Sequence, residues 1–221
     1  ENCGIGFVAN MKGGATHEII RQGIEVLNKL EHRGACGSDP LTGDGAGLLI
    51  QMPHKFFKSQ CPKIDIELPE QGKYGTGLVF FPKDVRIHSF LDIFNKIIKQ
   101  EGLSLLGWRK VPVDNTTIGH VAREAEPEIW QPFIAQGENP IDQEELERRL
   151  YKVRKLVGKE IHYAGEAEYF VSFYICSLST RTFCYKGQLM SNQLETYFLD
   201  IKDHEIESAL ALVHSRYSTN T

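Results

Sequence analysis

The alternation of apolar and polar positions divides the start of the chain into a strand, a helix, a loop and a second strand. An apolar run at Ile5–Ala9 predicts a buried strand. Thr16 can cap a helix that ends near Glu31. The helix carries an apolar stripe at helical spacing, formed by Ile20, Ile24, Leu27 and Leu30. A loop rich in Gly, Asp and Ser spans 32–47, and Leu48–Met52 is predicted as a second buried strand.

The rest of the chain continues the alternation of strands and helices. The predicted elements are a strand at Gly77–Phe81, a helix from Ile87 to Ile98, a strand at about Leu103–Val113, a helix from Leu146 to Leu156, and two neighbouring strands at Tyr169–Leu178 and Thr182–Tyr185. Asp142 and Glu145 form a capping box for the second of these helices. The proline-containing stretch before it is predicted to be irregular. The pattern indicates one α/β or α+β unit with a strand–helix insertion between about residues 75 and 165.

Composition excludes several classes of function. The 221 residues suffice for one large or two small domains, and the net charge of −4 comes without a dense basic block. Neither nucleic acid nor a membrane surface is therefore expected as a partner. The five cysteines are scattered and no CxxC or HExxH spacing occurs, so no metal site or disulfide framework is expected and a cytoplasmic setting is favoured. The sequence contains neither a GxGxxG motif nor a Walker-type loop, so nothing in it indicates a nucleotide-binding site.

Cys3 is the first candidate for chemistry. Removal of the two residues before it would give it a free α-amine, whose pKa of about 8 lets it accept a proton near neutrality. A terminal amine is one recognised base for activating a thiol. Alternatively, Cys3 packs as a small apolar residue in the first strand.

Other candidates surround the first loop. Arg33 and Gly34 lie where the first helix ends, and a cation there is also favourable simply because of the helix dipole. Cys36 is a second possible nucleophile, although a buried structural thiol is favoured. The glycine-rich run at 43–47 lacks the Lys-Ser/Thr ending of a phosphate loop and precedes a strand, so phosphate binding there is not expected.

The last eight residues, 214–221, are almost wholly polar, as in a disordered tail. However, Arg216 offers a planar fork suited to a carboxylate, and Ser218 and Thr219 are short polar groups that can orient an amino acid. One thiol, one arginine and short polar side chains suit acyl chemistry on a substrate that bears its own carboxylate.

Several motifs, in order and across the whole chain, resemble the class II (N-terminal nucleophile) glutamine amidotransferases, and among them the N-terminal glutaminase domain of the glutamate synthase large subunit. The matching stretches are Cys-Gly-Ile-Gly-Phe at 3–7, Leu-Glu-His-Arg-Gly-Ala-Cys at 30–36, Asp-Pro-Leu-Thr-Gly-Asp-Gly-Ala-Gly at 39–47, Pro-His-Lys-Phe-Phe at 53–57, Gly-Trp-Arg-Lys-Val-Pro-Val at 107–113, Ser-Leu-Ser-Thr-Arg-Thr at 177–182, Tyr-Lys-Gly at 185–187 and His-Ser-Arg-Tyr-Ser-Thr-Asn-Thr at 214–221. The resemblance implies an α+β fold, a truncated four-layer αββα Ntn-hydrolase sandwich.

The resemblance also implies roles for individual residues. Cys3 would be the nucleophile that attacks the side-chain amide of L-glutamine. Arg33 and Gly34 would hold the terminus of the nucleophile. Arg216 would bind the α-carboxylate of glutamine, with Ser218 and Thr219 beside it, and no metal would take part.

Two departures limit what the 221 residues are expected to do alone. Glu1 and Asn2 precede Cys3, which implies an unprocessed form. The His-Asn-Gly-Glu motif of the family's oxyanion hole, like the synthase domains, is expected beyond residue 221, so the isolated chain should be inactive or nearly so.

The resemblance assigns no cofactor to this fragment, and it implies FMN and an iron–sulfur cluster for the full-length enzyme, where ammonia would serve the reductive amination of 2-oxoglutarate. The remaining synthase domains and an electron-donating subunit or ferredoxin would be partners. A plastid location would apply in a photosynthetic eukaryote. Two alternatives stay open: the glutaminase domain of another class II amidotransferase, and an inactive Ntn-like module that binds or scaffolds a partner.

Overall fold

The computed structural model describes residues 4–33, 39–83, 87–163 and 173–215. Its strands are β1 (Gly4–Ala9), β2 (Ala46–Gln51), β3 (Tyr74–Thr76), β4 (Val79–Phe81), β5 (Leu103–Lys110), β6 (Glu128–Gln136), β7 (Tyr174–Ile175), β8 (Thr182–Gly187) and β9 (Leu210–Ser215). Its α-helices are α1 (His17–Lys29), α2 (His54–Gln60), α3 (Ile87–Gln100), α4 (His120–Glu124), α5 (Gln143–Tyr163) and α6 (Leu194–Tyr197). Short 3-10 turns lie at Glu31–Arg33, Cys61–Ile64, Ser191–Gln193 and Leu199–Lys202.

The chain divides into two compact units. The first unit comprises Glu1–Phe56, Val111–Glu126 and Cys184–Thr221, and the second comprises Phe57–Lys110 and Pro127–Phe183. Both contain a sheet whose described pairings are antiparallel, together with helices. The fold is thus a mixed one with antiparallel sheets, as the α+β expectation requires. The predicted insertion at about 75–165 lies within the second unit except for residues 111–126, and it stays a prediction.

The sheet of the first unit has the strand order β1-β9-β2-β8. β9 is central and pairs antiparallel with both β1 and β2. β9 was not predicted, although its apolar stretch Leu210–Val213 precedes the polar end of the chain. Polarity at the last residues concealed a strand that ends only at Ser215.

Helix α1 covers one face of the first sheet. The predicted stripe is confirmed at Ile20, Ile24 and Leu27, which are buried, whereas Leu30 follows the helix as its C-cap and is half-buried. Thr16 occupies the N-cap position as predicted, but its side chain makes no capping hydrogen bond. Its backbone instead exchanges two hydrogen bonds with Ser208, of 3.0 and 3.3 Å, which fix the start of α1 beside the start of β9.

The sheet of the second unit is built around β6, which was predicted to be irregular. β6 pairs with β5 on one side, with β3 and β4 on the other, and β7 lies beyond β4. Pro132 lies within β6, opposite the gap between Thr76 and Val79 where β3 ends and β4 begins. No residue of β3 or β4 is paired with Pro132, so its missing N–H costs no ladder bond on that side, while on the other side it is paired with Trp108 of β5.

Helices α3 and α5 pack together and form the core of the second unit with one face of its sheet. The buried residues of this core include Phe81, Phe94, Ile98, Leu150 and Val157. The prediction that the last two strands before the C-terminal region are neighbours is wrong: β7 belongs to the second sheet and β8 lies beside β2 in the first. Between them, Ser179 pairs with Thr76, which directs the chain away from a hairpin.

No helix among the described residues is both long enough and apolar enough to cross a membrane.

Candidate active site

The structure does not test the predicted site residues directly. Outside the described residues lie Cys3, Gly34, Arg216, Ser218 and Thr219, together with Cys36. Arg33 ends the 3-10 turn Glu31–Arg33, and only its backbone is described. The geometry available is therefore that of the residues next to them in the chain.

Those neighbouring residues meet at one end of the first sheet. Gly4, which follows Cys3, pairs with Ser215, which precedes Arg216. Ala46, at the end of the glycine-rich loop, pairs with Ser215 from the other side. Gly4, Ala46 and Ser215 lie at the ends of their strands, and we call this end of the first sheet the site end.

Helix α1 runs towards the site end. Its start is fixed beside Ser208, at the opposite end of β9. Its last turns lie over Gly6, because a Cβ added there would come within 2.5 Å of Val26 Cγ1 and 3.8 Å of Leu30 Cδ1. The 3-10 turn Glu31–Arg33 comes after the last turn of α1. The backbone of this turn therefore lies near the site end of the sheet.

His214 is a residue that the sequence reasoning treated only as part of a polar tail. It lies in β9 opposite Ile5 of β1 and Gly47 of β2. A Cβ on Gly47 would lie 2.5 Å from His214 Cε1 and 2.9 Å from Nδ1, so only glycine leaves room for the ring. Burial, and to a lesser degree the positive charge of Lys186, lowers the pKa of His214 below its usual value. The imidazole is consequently neutral near pH 7.

Ser215 holds the same strand end from the opposite face. The residue is 1% exposed, and its hydroxyl lies 3.0 Å from the hydroxyl of Ser191, which is also buried. Buried hydroxyls are costly unless they are hydrogen-bonded, so this pair favours one position of the strand end. The last two residues of β9 are thus held on both faces of the sheet.

Asp39 stabilises the loop that leads into β2 through hydrogen bonds to its carboxylate. Its buried carboxylate accepts hydrogen bonds from the hydroxyl of Thr42 at 2.8 Å and the backbone N–H of Leu41 at 3.1 Å. It also accepts the N–H of Val121 at 3.3 Å, in the first turn of α4, and His120 Nδ1 lies 3.2 Å away. The hydrogen bond from Leu41, followed by that from Thr42, keeps the pKa of Asp39 below its usual value. The carboxylate therefore acts as an ionised cap for α4.

Gln193 holds the same loop by further hydrogen bonds. Its side-chain amide donates to the carbonyl oxygens of Leu41 at 3.0 Å and Thr117 at 2.8 Å, while its side-chain oxygen accepts from Met190 N. Asp39 and Gln193 thus hold residues 39–42, which directly precede the glycine-rich run at 43–47. Sequence reasoning missed Asp39 and Gln193, although Asp followed by Pro, as at Asp39-Pro40, is a pattern typical of a turn.

The described residues offer little to a metal or a second nucleophile. No group of three or more His, Cys, Asp or Glu among them is placed to hold a metal ion. Burial raises the pKa of Cys61 to about 12, which leaves its thiol protonated near neutral pH. Cys61 is therefore unsuited to act as a nucleophile, and Cys3 stays the candidate that the sequence predicts.

Comparison with known proteins identifies relatives along the whole chain. The sequence model of the family described as "Glutamine amidotransferases class-II" matches residues 3–221. The chain is 45% identical, over 99% of its length, to the glutamate synthase (NADPH) large chain of Bacillus subtilis. It is 39% identical over 100% of its length to glutamate synthase (NADH) of Schizosaccharomyces pombe, and 38% identical over 99% to the chloroplastic ferredoxin-dependent glutamate synthase of rice, Oryza sativa subsp. japonica.

The relatives are far longer than this chain. It spans 14% of the Bacillus protein, 10% of the Schizosaccharomyces protein and 13% of the rice protein. The match therefore concerns one region of each relative.

Proposed function

This chain belongs to the class II glutamine amidotransferases, and we propose that it is the glutaminase part of a glutamate synthase. In this role it hydrolyses L-glutamine to glutamate and ammonia. The observation that carries the proposal is the pairing of Gly4 with Ser215, because it joins the neighbours of Cys3 and Arg216, the two residues to which the chemistry is assigned.

The first half of the proposed reaction forms a thioester. The Cys3 thiol, freed of Glu1 and Asn2, gives its proton to its own α-amine, and the sulfur attacks the side-chain amide carbon of glutamine. The C–O π electrons move to the oxygen and form a tetrahedral oxyanion. When the C–N bond breaks, the α-ammonium returns a proton to the leaving nitrogen, which departs as ammonia.

The second half releases glutamate. Water gives a proton to the same α-amine as its oxygen attacks the thioester carbon. The tetrahedral intermediate then collapses, the C–S bond breaks, and the α-ammonium returns the proton to the departing sulfur. Arg216 binds the α-carboxylate through its planar fork, Ser218 and Thr219 orient the amino acid, and Arg33 and Gly34 hold the terminus of Cys3. Groups fixed in this way need little reorganisation during the reaction.

Strand alternation supports a shared location for these groups. Ile5 and His214 are paired and so lie on one face of the sheet, opposite the face that α1 covers. If the alternation continues for one residue beyond Gly4 in β1 and beyond Ser215 in β9, positions 3 and 216 belong to that same face.

We propose the four-layer αββα sandwich as the complete architecture. α1 and the first sheet supply two layers. The opposite face of this sheet carries exposed apolar side chains, with Ile5 and Phe7 each 69% and Leu212 40% exposed. A second sheet packed there would bury them. The second unit, with a core of its own, is in this proposal the inserted part.

The remaining parts of the enzyme are proposed to lie outside residues 1–221. They are the oxyanion-hole segment and the synthase domains, which would hold FMN and an iron–sulfur cluster that supply the reducing chemistry for amination of 2-oxoglutarate. Their partner would be an electron-donating subunit or ferredoxin, and the setting would be the cytoplasm, or a plastid in a photosynthetic eukaryote.

The test is covalent labelling in the longer protein encoded by the native reading frame. After processing at Cys3, a glutamine analogue with an electrophilic carbon in place of the amide should modify Cys3 alone, as located by peptide mass spectrometry. L-Glutamine should protect it, and Cys3→Ala should abolish both labelling and glutaminase activity.

A matched control is Cys61→Ala, which removes a buried, protonated thiol elsewhere in the chain and should leave labelling unchanged. Absence of labelling in the processed protein would favour an inactive binding module. Ammonia transfer to an acceptor other than 2-oxoglutarate would assign the domain to another class II amidotransferase.

A further inference from the structure

One side of helix α5 collects the cations of a segment that has no acidic residue. Between positions 148 and 159 the sequence contains six Lys or Arg residues and no Asp or Glu, in a chain whose net charge is −4. These cations occur singly or in pairs between apolar positions, so they form no continuous basic block in the sequence. Positions three and four apart share one side of a helix, and that side carries Arg148, Lys152, Lys155 and Lys159, all exposed.

Two large apolar side chains lie among these cations. Tyr151 is 57% and Leu156 is 38% exposed, whereas the opposite side of the same helix is buried in the core of the second unit. The Lys155 ammonium lies 5.6 Å from the centre of the Tyr151 ring. An apolar centre with a charged rim is the usual arrangement of a protein–protein interface. We call the exposed residues Arg148, Tyr151, Lys152, Lys155, Leu156 and Lys159 the outer face of α5.

Positive charge exceeds negative charge on this face. Glu145 pairs with both Arg148 and Arg149, at 2.9 and 2.8 Å, so one carboxylate serves two guanidinium groups. The described contact of Lys155 is with the Tyr151 ring rather than with a carboxylate. A partner that brings carboxylates to the rim would balance the excess.

We propose that the outer face of α5 is a docking surface for a second protein surface, acidic at its rim and apolar at its centre, in the remaining part of the same longer polypeptide. The inference rests on the proposed function, which assigns further domains to that polypeptide; the chain spans only 10% to 14% of the relatives. Tyr151 and Leu156 would be buried at the centre, and the cations would orient the partner.

A nucleic acid fits the same face less well. Glu145 belongs to its ion pairs, and Glu160 of α5 pairs with Lys96 of α3 at 2.8 Å beside it. Carboxylates at these positions repel a phosphate backbone, as does the net negative charge of the chain. A protein surface can instead place its own cations opposite them.

Two native lysines provide a probe and its matched control. The side chains of Lys152 and Lys110 are 60% and 61% exposed, and each lies near one carboxylate, Glu101 at 3.4 Å and Glu128 at 3.0 Å. Lys110 lies in β5, away from α5 in the chain. In the intact, full-length protein, a low dose of an acetylating ester should modify Lys152 on the order of tenfold more slowly than Lys110, as measured by peptide mass spectrometry. Unfolding the protein should make the two rates equal.

Loss of the apolar centre should expose the probe. In Tyr151→Ser/Leu156→Ser, we expect Lys152 to react as fast as Lys110. Ile64→Ser is the matched control, because Ile64 is 40% exposed in the same unit but outside α5, and it should leave the rate of Lys152 unchanged. The reversal Lys155→Glu should act like the double variant, since it puts a carboxylate opposite the carboxylates of the partner.

A benzophenone side chain introduced at position 151 identifies the partner. After irradiation of the full-length protein, the crosslinked peptide should be rich in Asp and Glu and should come from beyond residue 221 of the same polypeptide. Crosslinks to residues 1–221, to a separate protein or to a nucleic acid would overturn the proposal. Equal rates at Lys152 and Lys110 in the intact protein, or a slow Lys152 that neither variant accelerates, would overturn it as well.

The proposed function is tested separately, by labelling of Cys3 with the glutamine analogue. Failure of that labelling while Lys152 stays slow would reject the glutaminase reaction and retain the contact. Labelled Cys3 together with a fast Lys152 would reject the contact and retain the reaction.

Discussion

His214 couples the stability of the first unit to pH. Its pKa is lowered in the folded protein, first by burial and then by Lys186, from an unfolded value of about 6.5. The unfolded chain therefore binds more protons than the folded one below that pH. The stability contributed by the neutral ring is present above about pH 6.5 and is lost as the pH falls towards the lower folded value.

We expect the unfolding free energy of the parent protein to rise between about pH 5 and pH 7, and the slope to be smaller in His214→Phe. Chemical denaturation at several pH values measures both. The carboxylates with lowered pKa values, such as Asp39 and Glu145, titrate in a more acidic range and so do not mask the effect. Identical slopes in parent and variant would show that His214 does not titrate differently in the two states.

At the scale of the elements, helix α5 begins with a cap that the sequence predicted. Asp142 accepts a hydrogen bond of 2.7 Å from the backbone N–H of Glu145. In a full capping box the Glu145 carboxylate would accept a hydrogen bond from the backbone N–H of Asp142. Here that carboxylate forms ion pairs with Arg148 and Arg149 instead.

Asp142→Ala should cost about 1 kcal/mol of unfolding free energy, because a helix N–H loses its acceptor. Asp142→Asn keeps an oxygen at the same place and should cost much less. Urea titrations of both variants test the cap, and equal stabilities of the Ala and Asn variants would contradict it.

Two helical glycines should respond oppositely to the same change. A Cβ on Gly23 of α1 would lie 2.7 Å from Ala211 Cβ on β9, whereas one on Gly158 of α5 meets nothing within 4 Å. Gly23→Ala should therefore destabilise by about 1–3 kcal/mol through overpacking. Gly158→Ala should stabilise by about 0.5–1 kcal/mol through helix propensity. Thermal unfolding measures the sign of each, and a stabilised Gly23→Ala would show that α1 can move away from the sheet.

The elements that the sequence predicts well are those with a local cause. Helices α1 and α3 have strong apolar stripes: α3 contains the whole predicted range, and α1 ends two residues before the predicted end near Glu31. β6 and the separation of β7 from β8 depend on long-range partners instead: Pro132 is accommodated by a gap in another strand. Local patterning contains no information about such a gap.

In the candidate site, too, some residues can be predicted from local sequence and others depend on partners far away in the chain. Cys3 and Arg216 were chosen for their chemistry and by resemblance, and they stay predictions. Gly47 gave no signal by itself, because its function follows from the His214 ring on a strand far away in sequence. A residue whose role is to leave space is recognised only once its neighbour is known.

At the scale of the whole molecule, the exposed face of the first sheet distinguishes the proposed architecture from other arrangements. Phe7 lies in the sheet, whereas Met11 lies just after β1 and is fully exposed. A second sheet packed against the first would cover position 7 and leave position 11 open.

Thiols introduced by Phe7→Cys and Met11→Cys in the longer protein should therefore differ in reactivity. A thiol at position 7 should react with a maleimide far more slowly than one at position 11, and denaturation should abolish the difference. Equal reactivity in the folded protein would exclude the four-layer sandwich. The two changes serve as each other's control, because they lie a few residues apart.

The position of β1 at the edge of its sheet has a consequence for biosynthesis. Its one partner in the described sheet is β9, and roughly 200 residues separate the two strands along the chain. A ribosome that adds about 5–20 residues per second needs some 10–40 s to cover that distance. During this interval β1 has no strand to pair with, and a peptidase can reach the Asn2–Cys3 bond before the sheet forms.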